Sequence, residues 1–137
     1  MSRTAAAGEA LPARSLPITR EDVRRYAEAS GDHNPIHLED TAAQALGLPG
    51  VVAHGMLTSA LAIGTVADWA GGADRVRATS IRFAGPVVVP ADAPAELEVQ
   101  GTVRKVDADA GTADVALTVT CAGAKVFGKV IVTVALA

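Results

Sequence analysis

All three histidines of the chain, His33, His37 and His54, fall between residues 33 and 54, and two of them share the run Ser30-Gly31-Asp32-His33-Asn34-Pro35-Ile36-His37. A loop this short, bounded by glycine and stiffened by proline, holds a carboxylate, an amide and an imidazole near one another. Asp32 supplies acceptors, His37 gives or takes a proton near neutral pH, and Asn34 can hold a water or a hydroxyl in place. Together they suit acid–base chemistry around one water molecule. The plainer reading of Asp32 and Asn34 is that their side chains tie their own backbone, as Asp and Asn do in turns. The second feature is Ala53-His54-Gly55-Met56, just ahead of an apolar stretch. Amides at a helix start carry partial positive charge, and glycine admits a ligand oxygen without a Cβ in the way, so Gly55 is a candidate donor to a carbonyl that gains charge. Its plainer reading is a turn. His54 is a candidate ligand, in contact with substrate, or a base, or, more plainly, a satisfied histidine that helps to set the loop.

Positioning these groups falls to the elements around them. Thr19, followed by Glu21 and Asp22, starts a helix whose face is Val23, Tyr26, Ala27 and Ser30, and Gly31 stops it. A short second helix is expected over Thr41–Leu46, with Asp40 as its cap and Gly47 as its stop. Met56–Ala70 reads as a helix without a polar face, expected to be buried on nearly all sides. After Gly71-Gly72 the period changes from helical to two. Strands are expected over Val76–Phe83, around Leu97–Arg104, over Ala113–Cys121 and over Lys125–Leu136, with turns at Asp107–Gly111 and Ala122-Gly123. Helices followed by a run of antiparallel strands argue an α+β fold, a long apolar helix lying on a curved antiparallel sheet. Residues 1–10 are expected as a flexible tail and Leu11–Ile18 as an extended lead-in broken by Pro12 and Pro17.

Composition narrows the function classes. The 137 residues are 50% apolar but 3% aromatic, with a net charge of −3 and a mean hydropathy of +0.30. One domain fits that length. A nucleic-acid binder would want a basic excess and stacking aromatics, which are missing. So apolar a short chain suggests a further apolar face covered in an oligomer. The single cysteine, Cys121, rules out an intrachain disulfide and a cysteine-based zinc site. Asp32, His33 and His37 have no wider cluster to make a catalytic zinc site, which wants three convergent ligands, so no metal is expected. The first residues lack the apolar core of roughly 7 to 15 residues that a secretion signal needs, and a cytoplasmic location is expected.

Tyr26-Ala-Glu-Ala-Ser30-Gly-Asp-His-Asn-Pro-Ile-His37, followed after five residues by Ala43, closely resembles the hydratase 2 motif of MaoC-like dehydratases, the R-specific enoyl-thioester hydratases. Ala53-His54-Gly55-Met56 downstream is similar to the second family signature, and the resemblance covers roughly residues 12–137. Ala29 departs from the larger aliphatic or glycine that the motif prefers, a change expected to alter packing only. The resemblance implies a hot-dog fold, its sheet wrapped around the helix from Met56 to Ala70, and pairing into a dimer of hot dogs. It implies Asp32 and His37 as the catalytic dyad, Asn34 orienting the water, and the Gly55 amide polarising a thioester carbonyl. Ser59, one helical turn after Gly55, would turn its hydroxyl toward the acyl group, and Ile63 and His54 are further candidate substrate-binding residues. The short length and the closing Lys125-Val-Phe-Gly-Lys are most similar to the catalytic subunit of mycobacterial-type 3R-hydroxyacyl carrier-protein dehydratases, in which the active subunit pairs with a related partner lacking the dyad. Homodimer and heterodimer both stay open.

The implied reaction is reversible syn removal of water from a 3R-hydroxyacyl thioester, on CoA or on an acyl carrier protein, to give the trans-2-enoyl thioester without metal or redox cofactor. Arg75, Arg77 and Arg82 are candidates for the phosphates of the substrate arm, or are solvated charges on a strand. Ile63, Val66 and Trp69 line an acyl pocket or are plain core. Two other classes compete. A hot-dog thioesterase needs a carboxylate on the central helix to activate water, and the helix holds only Asp68, near its end. A non-catalytic acyl-binding or partner subunit predicts a broken dyad, whereas Asp32 and His37 are both present.

Overall fold

Thr19 and Asp22 close a capping box. The Thr19 hydroxyl accepts the Asp22 N–H at 3.1 Å, and the Asp22 carboxylate accepts the Thr19 N–H at 2.9 Å. Two donors that a helix start leaves unpaired are thereby satisfied. The helix they begin, α1 (Arg20–Ser30), buries Val23 and Ala27 and stops at Gly31, whose φ of +79° suits glycine. The structure, a computed structural model, describes residues 4–136. Around α1 lie β1 (Arg14–Ile18), α2 (Asp40–Ala45), α3 (Gly55–Ala70), β2 (Val76–Phe83), β3 (Ala95–Asp107), β4 (Thr112–Cys121), β5 (Ala124–Lys125) and β6 (Phe127–Ala135).

The strands form one antiparallel sheet in the order β1-β3-β4-β6-β2, with β5 beside β4. Alternation sets its faces. Along β3, Ala95, Leu97, Val99, Gly101 and Val103 are buried while Glu96, Glu98, Gln100, Thr102 and Arg104 are exposed, and β4 continues the inner face with Ala113, Val115, Leu117 and Val119. Ala62 and Val66 of α3 join the same core. This is the α+β, hot-dog arrangement expected from the element order and the motif. Leu97 is fully buried, between Leu16 of β1 and Cys121 of β4 in register. Leu97→Ala is expected to cost about 2–5 kcal/mol in thermal or denaturant unfolding, through lost transfer energy and the cavity left behind.

Inside so apolar a shell, the hydroxyls of α3 are satisfied by its own backbone. Thr58 donates to Gly55 O at 2.9 Å, Ser59 to Met56 O at 3.0 Å and Thr65 to Ala62 O at 2.7 Å. The helix is not covered all round, however. Met56 is 63% exposed, Ala60 and Asp68 are exposed, and Leu57, Leu61 and Gly64 are half-buried. The sheet of one chain covers one side of α3 and leaves an apolar stripe on the other.

Four further expectations shift. The lead-in is a strand: Arg14–Ile18 pairs with β3 at the sheet edge, where Pro17 opposite Glu96 costs little because an edge position can spare its N–H. Of the stretch read as a tail, residues 1–3 lie outside the described residues, and Gly8 onward is docked. Gly8 N–H donates to Val103 O, Val103 N–H to Glu9 O and Leu11 N–H to Gly101 O, at 2.7, 2.8 and 2.9 Å. The closing strand is split at Val126, whose N–H bonds Val119 O while its carbonyl accepts from Ala84 and Gly85. Asp40 is not the cap of α2: Glu39 holds that position without a side-chain bond.

Candidate active site

The loop after α1 is tied by its own side chains. Ser30 Oγ accepts the Asp32 N–H at 3.1 Å, Asp32 Oδ1 the Asn34 N–H at 3.2 Å, and Asn34 Oδ1 the Ile36 N–H at 3.3 Å. The plainer reading of Asp32 and Asn34 as loop-tying residues is therefore met by one oxygen of each. Asn34 and Pro35 start a single tight turn, Pro35–His37, that buries His37. The other carboxylate oxygen, Asp32 Oδ2, faces His37 Nε2 across 4.0 Å, with 55% of the Asp32 side chain and 10% of the His37 side chain exposed.

The proton on His37 has a defined place. Its Nδ1 lies 2.7 Å from Val52 O, and since a carbonyl only accepts, Nδ1 carries a hydrogen, so that in the neutral ring the lone pair is on Nε2. A gap of 4.0 Å is too long for a direct bond. It does allow one oxygen atom, of water or of a hydroxyl, to stand about 2.8 Å from both groups.

His54 fixes this geometry from behind. It is 2% exposed, its Nε2–H donates to Asp32 O at 3.0 Å, and its ring stacks on His37 with centroids 3.7 Å apart and planes at 22°. Tyr26 also packs on His54, with ring centroids 4.7 Å apart and planes tilted by 58°. Among the described residues none bonds the buried His54 Nδ1; the side chain expected as a substrate contact is buried and links the Asp32 loop to the start of α3.

Gly55 is the first residue of α3, and among the described residues no side chain caps that start, so the first-turn amides can meet another acceptor. An ideal Cβ at Gly55 would stand 2.8 Å from Phe83 Cε1, which shows how closely the β2 aromatic covers the helix start. Ser59 and Ile63 follow Gly55 at successive turns of one face; Ser59 is 2% exposed and Ile63 packs half-buried against the core. Val66 is plain core, while Trp69 lines a 220 Å³ cavity with Leu11, Thr65 and Leu117 near the far end of α3. There Asp68, the only acid of the helix, pairs with Arg14 at 2.9 Å. Arg77 and Arg82 lie exposed on β2, and Arg75 precedes it in a short turn.

One ligand atom each of Asp32, His37 and His54 lies within 4.8 Å of the others, a triplet that includes His54 rather than the His33 considered from sequence. The stacking does not suit a metal: an ion in the plane of one ring would stand roughly the stacking distance out of the plane of the other. His33 points elsewhere, 3.7 Å from Glu28. The sequence offered no direct sign of the Val52 carbonyl, a backbone group, nor of the ring contact between Tyr26 and His54.

A long helix packed on one side against a wrapped antiparallel sheet is a hot-dog arrangement, and near the helix start an acid and an imidazole face each other, a pair of groups capable of acid–base chemistry. The chain belongs to the MaoC-like domain family, whose model matches residues 3–121. It is 49% identical over 82 residues to 3-hydroxyacyl-thioester dehydratase X of Mycobacterium tuberculosis, covering 60% of this chain and 28% of that protein. Among solved structures, a MaoC-like dehydratase superposes with a TM-score of 0.95 at 32% identity, over 99% of this chain and 43% of the other. The HadBC (3R-hydroxyacyl-ACP dehydratase) complex of Mycobacterium tuberculosis superposes at 0.72 and 22% identity, over 96% of this chain and 98% of that one. The chain thus spans less than half the length of the first two. Among the described residues no helix is long and apolar enough to cross a membrane.

Proposed function

We propose that this domain dehydrates 3R-hydroxyacyl thioesters reversibly to trans-2-enoyl thioesters. The observation that carries the reading is the 4.0 Å gap between Asp32 Oδ2 and a His37 Nε2 whose proton is held on the opposite nitrogen. With the acyl carbonyl on the Gly55 amide, the enolate-like charge that forms as C2 loses its proton is stabilised. His37 Nε2 takes that proton, and hydroxide leaves C3 with its oxygen oriented by Asp32 Oδ2 and the Asn34 amide. Proton and hydroxide depart as one water, so neither residue is changed over the cycle. Syn geometry follows from both groups standing on one side of the substrate. No metal or redox group takes part, and the chemistry fits a cytoplasmic enzyme.

The family and the 3-hydroxyacyl-thioester dehydratase relative support this reading. The thioesterase alternative finds its only helix carboxylate at the wrong end of α3, 72% exposed and paired with Arg14. The apolar stripe of α3 and the exposed Phe83 on edge strand β2 suit a second hot dog, identical or related. Ser59 and Ile63 would line the acyl chain, and Arg75, Arg77 and Arg82 are the cations proposed for the phosphates of CoA or of a carrier-protein arm.

Carrier and chain length are read by assaying trans-2-enoyl-CoA thioesters of increasing length against the matching acyl-carrier-protein thioesters, with free thiol followed in parallel. Hydration without thiol release is expected. Thiol release without hydration would move the chain to the thioesterases.

A further inference from the structure

Asp40 begins a helix with its side chain 44% exposed, yet its carboxylate is bonded by partners outside that helix. Oδ1 accepts the Val51 N–H at 2.9 Å and an Arg20 guanidinium N–H at 2.8 Å. Arg20 in turn donates from Nε to Val89 O at 2.6 Å. The carboxylate also fits against Gly50, where an ideal Cβ would stand 2.8 Å from Oδ1; only glycine admits the approach.

These bonds converge on three residues. Val51 N–H is held by Asp40 and its carbonyl by Val89 N–H at 2.9 Å; Val52 N–H is held by Ile36 O at 3.1 Å and Ala53 N–H by Val87 O at 2.9 Å. What this clamped segment presents is the Val52 carbonyl, the acceptor of His37 Nδ1–H. We infer that Asp40 and Arg20 are positioning residues for the dyad: they hold the Val51–Ala53 segment so that the Val52 carbonyl keeps the His37 proton on Nδ1 and its lone pair on Nε2.

The charge state of Asp40 agrees. The Val51 N–H first, and then Arg20, hold its carboxyl below the ordinary value of 3.8, so Asp40 is anionic wherever the dyad would work. Asparagine keeps an oxygen for the Val51 N–H and gives up only the charge toward Arg20. Alanine gives up both.

The inference rests on the proposed dehydratase reading for its consequence, but its test does not. In the 15N-labelled full chain, long-range proton–nitrogen correlation of the imidazoles distinguishes Nδ1–H from Nε2–H. Wild-type His37 is expected as Nδ1–H, Asp40→Ala as a mixture with Nε2–H, and Asp40→Asn as nearly wild type. In parallel, Asp40→Ala should lower kcat for hydration about 10- to 100-fold with KM within about twofold, and Asp40→Asn should recover most of it. Arg20→Met, which keeps the apolar stem, should shift the tautomer the same way by a smaller amount and serves if Asp40→Ala does not fold. An unchanged Nδ1–H tautomer in a folded Asp40→Ala or Arg20→Met chain, with only the melting temperature lowered, overturns the inference. A tautomer shift in a chain that hydrates no enoyl thioester upholds it and overturns the dehydratase reading instead.

Discussion

Asp32→Asn and His37→Ala are each expected to lower kcat for enoyl-thioester hydration about a thousandfold, in the range that a positioned acid or base contributes. Because the two act on one water, the double variant should lose little more than the worse single one. Stability separates them. Asparagine retains the oxygen that accepts the Asn34 N–H, and the Asp32 side chain is more than half exposed, so the melting temperature should hardly move. His37 is buried and is the donor to Val52 O; alanine leaves that carbonyl unpaired and should cost roughly 1–3 kcal/mol. His33→Ala, on an exposed ring beside Glu28, should leave both quantities unchanged. Near-wild-type kcat in either dyad variant would remove the acid–base assignment.

The second large effect is expected at Gly55, where two substitutions share a new Cβ and differ in the amide. Alanine must push the Phe83 ring, since its Cβ begins 2.8 Å from Cε1. Phe83 is 52% exposed, so the ring has room to yield. Proline brings a similar Cβ but deletes the N–H. The backbone tolerates it: the first helical position favours proline, and His54, at φ −61° and ψ 135°, already has the extended conformation that a following proline demands. The ratio of kcat/KM between Gly55→Ala and Gly55→Pro therefore reads the amide itself. Loss of one such donor should make that ratio about 100 to 1,000. A ratio near one, with α3 intact by circular dichroism, would take the carbonyl away from Gly55.

The parts legible from sequence are those where one physical signal dominates. Alternation in β3 and β4 reports a sheet with one wet face, and the absence of charge before Asp68 reports a helix packed into that sheet. The capping pair Thr19 and Asp22 and the stop at Gly31 mark α1 because each acts within a few residues. Where a residue serves a distant partner the signal is lost. Asp40 has the composition of a cap but spends its carboxylate on Val51 and Arg20. Pro17 disguises β1, since a sheet edge forgives what a central strand would not. The open stripe on α3 is invisible because burial by the chain's own sheet and burial by a partner ask for the same apolar residues.

The candidate site divides the same way. Asp32, Asn34, His37 and Gly55 are marked by type and spacing. The meaning of His54 is not, because its bond to the Asp32 carbonyl and its stack on His37 join segments 22 residues apart in the chain. Val52 carries no chemical signature at all, yet its carbonyl decides which nitrogen of His37 is free.

The most direct measurement follows the conjugated enoyl-thioester absorbance when the purified domain is given a short trans-2-enoyl-CoA, and then determines the configuration of the product. The proposed function predicts loss of the conjugated band, accumulation of the 3R-hydroxyacyl-CoA, and no free CoA thiol. A 3S product, or release of thiol with the double bond intact, would contradict it.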